Sequence, residues 1–132
     1  MPALEDSKKE IPGQVLASWA EVLYLGNLLI APGLAFLILL WLYFRRSADT
    51  PALAVCHMRQ TITASIWAAV LLVIVSSIII QLGGLNSVYS WMIAILYFLT
   101  CHATLILLGV IGLTKSLAGQ TFIYPLIGRH CD

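Results

Sequence analysis

Two long stretches without charged residues limit the folds open to this chain of 132 residues. No Asp, Glu, Lys or Arg occurs from Val22 to Phe44, and none occurs from Gln60 to Thr114. A helix needs roughly 20 apolar residues, each rising about 1.5 Å, to cross a hydrocarbon core of about 30 Å. The first stretch therefore fits one such helix, and the second fits two. With 61% hydrophobic residues, the chain has more apolar surface than a small soluble core could bury.

The predicted fold is all-α and integral to a membrane, a compact bundle of three transmembrane helices over residues 22–129. The predicted spans are 22–44, 62–82 and 89–113, and the turn residues of QLGGLNS separate the last two. A polar head, residues 1–21, lies partly at the interface, and residues 130–132 form the C-terminal end. The tail, residues 117–129, is too short and too interrupted for a full crossing. It lies in the interface, packs back on the bundle, or forms a fourth, short or re-entrant segment.

Basic residues set the predicted orientation, because loops rich in Lys and Arg stay in the cytoplasm. The first connection and the tail hold five basic residues, and the head holds two; they are Arg45, Arg46, Arg59, Lys115 and Arg129, against Lys8 and Lys9. The N-terminus is therefore predicted outside and the C-terminus in the cytoplasm. Thr50 and Pro51 suit the start of a helix, so the second helix is expected to begin near Pro51.

Two parts of the sequence carry a family resemblance. The stretch IAPGLAFLILLWLYFRRSADTPALAVCHMRQTITASIW has a helix ending in Trp and basic residues, a polar turn, and His-x-x-Gln before the next helix. The tail GQTFIYPLIGR has a Gly, two aromatic residues two apart, and Pro. Together they resemble a domain-of-unknown-function family of small bacterial membrane proteins. That family is related to the twenty-kilodalton channel component of the chloroplast inner-envelope protein translocon.

The resemblance covers residues 20 to 129 and implies a bundle of three or four helices in a bacterial inner membrane. The matching positions are Trp41, Arg45, Arg46, His57, Gln60, Gly119, Phe122, Tyr124 and Pro125. Gln120 stands where the family often has an acidic residue, and the cysteines are not part of its pattern. Channel activity belongs to the chloroplast relatives, so the resemblance implies a fold more than an activity.

Cys-His pairs are the sharpest candidate ligands: Cys56–His57, Cys101–His102 and His130–Cys131. Ionisable residues inside a membrane are functional candidates by default, and His57 and His102 could hold haem b or a quinone. Their predicted depths differ by roughly 15–20 Å at about 1.5 Å per residue, so they do not share one ion, and no metal site is predicted. The plainer interpretation is an imidazole bonded to a neighbouring helix. The cysteines are predicted to be free thiols, with Cys56 and Cys131 pairing only on oxidation.

No catalytic signature is present: there is no nucleophile elbow, phosphate loop or zinc-protease helix. The chain is therefore predicted to be a non-catalytic accessory or structural subunit of a larger membrane protein complex. Its partners would be lipid and other membrane subunits, not nucleic acid. The predicted docking residues are Arg45, Arg46, His57, Arg59, Gln60, Phe122, Tyr124 and Pro125. Two alternatives stay open: a protein-translocation or channel-like component, and a redox subunit holding haem b or a quinone through His102 or His57.

Overall fold

The computed structural model describes residues 11–128, 130 and 131, and within those residues all regular structure is helical. Four helices follow one another within this described part of the chain. They are α1 (Gln14–Leu29), α2 (Leu34–Arg45), α3 (Ala52–Gly83) and α4 (Val88–Leu117). The all-helical fold predicted from the sequence is confirmed. Lys8, Lys9 and Arg129, which entered the predicted orientation, lie outside the described residues.

Helices α3 and α4 are both long and apolar enough to cross a membrane. They have 32 and 30 residues, and their most apolar windows have mean hydropathies of 2.5 and 2.2. At about 1.5 Å per residue, each exceeds a hydrocarbon core of about 30 Å. Only 17% of each window is buried within the chain, whereas the core helix of a soluble protein is mostly buried. The predicted spans 62–82 and 89–113 lie within these two helices.

The remaining predicted span, residues 22–44, which comes first in the sequence, is not one helix. The chain leaves α1 after Leu29, and the 12 residues of α2 cover only about 18 Å. Pro32 has no backbone N–H, and Gly33 adopts a left-handed φ of 89°. The side-chain oxygen of Asn27 accepts a hydrogen bond from the Gly33 N–H at 2.8 Å, which closes the turn. The chain therefore reverses direction at Pro32 and Gly33, where a single span would have continued.

Helices α1 and α2 form an antiparallel hairpin that packs on the two long helices. Ala20 of α1 and Leu39 of α2 lie in one apolar cluster with Met58 of α3. A second cluster joins α1, α3, α4 and the tail through Tyr24, Leu28, Ala64, Ala68, Leu105 and Tyr124. Close approach of α1 to α4 depends on Gly109, because a Cβ there would lie 2.7 Å from the Tyr24 ring. Small residues therefore decide where the hairpin sits.

Both ends of the described chain lie at one end of the helix pair, which we call the proximal end. Gln14 donates a side-chain hydrogen bond to the carbonyl of Leu117, and Gly13 packs against Pro51 of the α2–α3 connection. The α3–α4 connection, residues 84–87, forms the opposite, distal end. Within the described residues, the start of α1, the α2–α3 connection and the tail therefore lie at the same end of the two long helices. The predicted orientation, with the N-terminus outside and the C-terminus in the cytoplasm, stays a prediction.

Helix α3 begins where the sequence predicted, but it contains one irregular stretch. It starts at Ala52 directly after Pro51, as the sequence indicated, and continues into the apolar region without a break. Thr50 does not cap it, because its hydroxyl instead donates to the carbonyl of Ser47 at 2.8 Å. Between Val70 and Val75 the helix widens into a π-helical stretch. Such stretches are rare and often occur at functional sites.

The hairpin predicts a specific labelling pattern in cells. In a C56S/C101S/C131S background, single cysteines at Pro12→Cys and Ser47→Cys should react with an impermeant thiol reagent from the same side of the membrane. Asn86→Cys should react from the opposite side, since it lies at the distal end. A three-span chain would instead place Pro12 and Asn86 together, and that result would contradict the hairpin. Reaction of all three after detergent lysis is the control.

Candidate functional site: a buried carboxylate, histidine and tyrosine

Glu21 lies fully buried on α1 and is the centre of a polar cluster. Sequence reasoning missed it, because residues 1–21 were assigned to a polar head. The signal was its spacing: Ala17, Glu21, Tyr24 and Leu28 all lie on one helical face, and all are buried. A helix beginning at Gln14 turns this face toward α3 and α4. The carboxylate therefore enters the interior of the bundle and needs partners there.

Two partners meet the Glu21 carboxylate, one on each oxygen. Nδ1 of His57, on α3, lies 2.6 Å from Oε1. The hydroxyl of Tyr124, in the tail, donates a short hydrogen bond to Oε2. The exposed fractions of Glu21 and His57 are 0%, and that of Tyr124 is 1%. A pair of this kind is stable in an interior only when its remaining polar atoms are also bonded.

The remaining polar atoms of the cluster are bonded. Nε2 of His57 lies 2.9 Å from the backbone carbonyl of Gln120; a carbonyl only accepts, so this nitrogen carries a proton and donates. A second proton is held between Nδ1 and Oε1, which makes the cluster neutral as a whole. Burial and the Glu21 carboxylate raise the pKa of Tyr124, so its hydroxyl keeps the proton that it donates. Tyr24 donates to the carbonyl of Leu105 at 3.2 Å.

Two glycines make room for the cluster. A Cβ at Gly112 of α4 would lie 2.6 Å from Oε2 of Glu21, closer than real side-chain contacts allow. A Cβ at Gly128 of the tail would lie 2.6 Å from the side-chain oxygen of Gln60. Beside them, the hydroxyls of Thr61 and Ser65 bond to carbonyls of their own helix. The space around the carboxylate is therefore filled by protein.

A disulfide joins Cys56 of α3 to Cys131 beyond the tail, with 5.3 Å between their Cα atoms. The cysteines were predicted to be free thiols, with Cys56 and Cys131 pairing only on oxidation, and the structure has this pair joined. The side chain of Gln60 donates to Sγ of Cys131 at 3.4 Å. Phe122 and Ile127 pack against the apolar cluster around Tyr24. The tail packs back on the bundle, which was one of the predicted arrangements.

The predicted docking residues separate into an exposed group and a buried group. Arg45, Arg46 and Pro125 are exposed, Arg59 and Phe122 are half-buried, and His57, Gln60 and Tyr124 are buried. A partner protein cannot contact His57, Gln60 or Tyr124 unless the tail moves away from the helices. A docking role therefore stays a prediction for the other five residues only. The Arg45 guanidinium lies 5.3 Å from the Trp41 ring centre, and that of Arg46 lies 3.8 Å from the Tyr43 ring. Both cations are held by aromatic rings.

His57 and His102 are separate sites, as their depths predicted. Both ring nitrogens of His57 are engaged, which leaves neither for a haem iron. His102 lies near the middle of α4, stacked on Phe98 with 5.6 Å between ring centres. Its Nδ1 atom is buried and has no hydrogen-bond partner among the described residues. Within the described part of the chain, no three His, Cys, Asp or Glu side chains come together in a geometry suited to a metal ion.

The cluster around Glu21 can hold and share protons, but it has no opening for a substrate. Its three side chains come from α1, α3 and the tail, so its clearest effect is to fix the tail on the helices. No family model matches the chain, and no curated protein sequence or solved structure is similar to it. The geometry is therefore the basis for any functional argument.

Removing members of the cluster should cost unequal amounts of stability. Tyr124→Phe deletes one hydrogen bond to a carboxylate, which is worth about 1.5–3 kcal/mol. Glu21→Ala leaves His57 and Tyr124 buried without an acceptor, and we expect a loss of about 3–5 kcal/mol. The double variant should lose less than the sum of the two, because both remove one shared contact. Unfolding free energies in mixed detergent micelles measure this cycle. Tyr89→Phe, at an exposed tyrosine, is the control, and strict additivity would contradict the shared contact.

The disulfide gives a direct count of reactive thiols. In purified protein that is first oxidised in the folded state and then denatured, a thiol-reactive polymer should add once without reductant, at Cys101, and three times after reduction. Cys131→Ser should lower the stability of the oxidised protein by about 2–4 kcal/mol, because the crosslink restrains the unfolded chain. Cys101→Ser, which removes the free thiol, should leave stability unchanged. Three additions without reductant would contradict the pairing.

Proposed function

We propose that this chain is a multi-pass membrane protein that acts as a non-catalytic accessory subunit of a larger membrane assembly. The observation that carries the proposal is the closed cluster at the proximal end. Its carboxylate is bonded to both the imidazole and the phenol, and all three groups are buried, so they serve to hold the tail in one position. A fixed tail gives the proximal end a constant shape, which is what a docking surface requires.

The surface beside this cluster suits a protein partner. Trp41, Phe44, Arg45 and Arg46 are all exposed at the end of α2. Aromatic residues and arginine are the types most enriched at binding hot spots. The two guanidinium groups are positioned by stacking and by a hydrogen bond from Arg46 to the carbonyl of Tyr43 at 2.7 Å. Carboxylates of a partner could therefore meet arginines that are already oriented.

The exposed sides of α3 and α4 favour a membrane location. Their apolar side chains face outward along most of their length, where lipid or a neighbouring helix would cover them. A bacterial inner membrane is the location implied by the family resemblance, which stays a prediction.

Charge favours the cytoplasm for the proximal end. Arg45, Arg46, Arg59 and Lys115 belong to this end, and the distal connection, residues 84–87, has no charged residue. In that compartment Cys56 and Cys131 would be reduced, and the disulfide would form on oxidation. We therefore place the first connection and the tail in the cytoplasm, together with the start of α1.

Co-purification tests the proposal. Full-length protein with an N-terminal affinity tag should bring down other membrane proteins in constant proportion when it is extracted in mild detergent. R45A/R46A should lose them because it removes the oriented cations, while Asp49→Ala, in the same exposed connection, should retain them. Mass spectrometry of the eluates makes the comparison. A stable monomer without partners would contradict an accessory role, and a homo-oligomer that conducts ions in planar bilayers would favour the channel-like alternative.

A further inference from the structure

A cavity of about 580 Å³ lies where the tip of the α1–α2 hairpin meets the middle of α3 and α4. Its walls are largely apolar, and Pro32, Phe36, Val73 and Phe98 belong to them. Sites for small molecules commonly measure about 300–1,000 Å³ and combine apolar walls with a few polar groups. The size and lining of this cavity are those of a ligand site.

Two departures from regular helix shape this cavity. The chain reversal at Pro32 and Gly33 ends the hairpin beside the middle of α3, so neither α1 nor α2 continues along the long helices. Opposite it, the π-helical stretch Val70–Val75 contributes several wall residues. A regular helix in either place would present a different surface. Local irregularities that converge on one cavity are typical of binding sites.

His102 gives the cavity an unsatisfied polar group. It belongs to the lining, its Nδ1 atom is buried, and neither ring nitrogen forms a hydrogen bond with a described residue. An imidazole in apolar surroundings loses free energy when it has no partner. This differs from His57, whose two nitrogens are both bonded. This contrast between the two histidines indicates that the hydrogen-bond partner of His102 comes from a molecule outside the chain.

Asn27 supplies a second polar group at the same cavity. Its side-chain oxygen is already used by the Gly33 N–H, which leaves the amide NH₂ as the group that can donate. His102 in its neutral form also has one N–H to donate. Among the described residues, the lining includes no Asp, Glu, Lys or Arg. Ser65 also belongs to the lining, but its hydroxyl already donates to the carbonyl of Thr61 at 2.7 Å. The groups that can donate into the cavity are therefore those of His102 and Asn27, and both are neutral.

This chemistry selects among membrane-soluble ligands. A phospholipid would need a cation for its phosphate, and the cavity lies near mid-helix, far from the headgroups. A plain hydrocarbon chain would leave His102 and Asn27 unpaired. A quinone has a flat ring for the aromatic walls and two carbonyl oxygens that accept hydrogen bonds. We infer that this cavity binds the ring of a membrane quinone, with His102 and Asn27 as donors and the isoprenoid tail leading into the lipid.

The binding site goes beyond the proposed accessory role and does not depend on any partner protein. The test uses the full chain in phosphatidylcholine nanodiscs, with decylubiquinone as the probe. Bound quinone is extracted and quantified after equilibrium dialysis against protein-free nanodiscs. The wild-type protein should retain up to one quinone per chain above that background.

Variants locate the site. His102→Leu should weaken binding by about tenfold, the loss that corresponds to one buried hydrogen bond. His102→Gln should recover part of the affinity, because glutamine can also donate. Ala69→Phe should abolish binding by filling the cavity, while Ala103→Phe, exposed on α4 and not part of the lining, should have no effect. Only variants that elute as monodisperse, helical protein are compared.

Three results would overturn the inference. One is retention no greater than in protein-free nanodiscs. Another is equal binding by the wild type, His102→Leu and Ala69→Phe, which would place the quinone elsewhere. The third is full displacement by an equimolar saturated hydrocarbon, which would show that the cavity recognises an apolar chain and not a carbonyl-bearing ring.

Discussion

The structure depends on the burial of one carboxylate in an apolar helix. An ionised group in such surroundings is strongly destabilising unless it is paired and hydrogen-bonded. Glu21 obtains its partners from α3 and from the tail, which are far apart in sequence. The fold that satisfies Glu21 is therefore also the fold that brings α1, α3 and the tail together. A packing that separated α1 from α3 or from the tail would remove one of these partners and leave the buried carboxylate incompletely bonded.

The hairpin follows from the same constraint. For Glu21 to meet His57 near the start of α3, α1 must begin at the proximal end and lie alongside α3. The apolar residues that follow α1, up to Phe44, could either extend α1 as one long helix or turn back alongside it. Pro32 and Gly33 fall where α1 ends, and Asn27 supports the turn. The contacts of Glu21 fix the position of α1 along α3, and Pro32 and Gly33 fix where α1 ends.

The sequence predicted some of these features and not others, for physical reasons. Spans within Ala52–Gly83 and Val88–Leu117 could be located because uninterrupted hydrophobicity depends only on local composition. The restart near Pro51 was predicted from the same kind of local signal. The hairpin was missed because Val22–Phe44 has the composition of a span, and a Pro-Gly pair is compatible with either a kink or a reversal. Glu21 was missed because its partners, His57 and Tyr124, lie more than thirty residues away in sequence. The pairing of Cys56 with Cys131 was predicted only for oxidising conditions, because a sequence does not report the redox state of its thiols.

The two histidines show how satisfaction of polar groups separates structural sites from candidate functional ones. His57 has a carboxylate and a carbonyl as partners, and the surrounding glycines admit them without leaving space. His102 has an aromatic neighbour and a cavity. His102 is half-buried, and its buried Nδ1 atom has no hydrogen-bond partner among the described residues, which costs free energy in apolar surroundings. That His102 stands there unbonded, between a chain reversal and a π-helical stretch, is best explained by a ligand that completes the site.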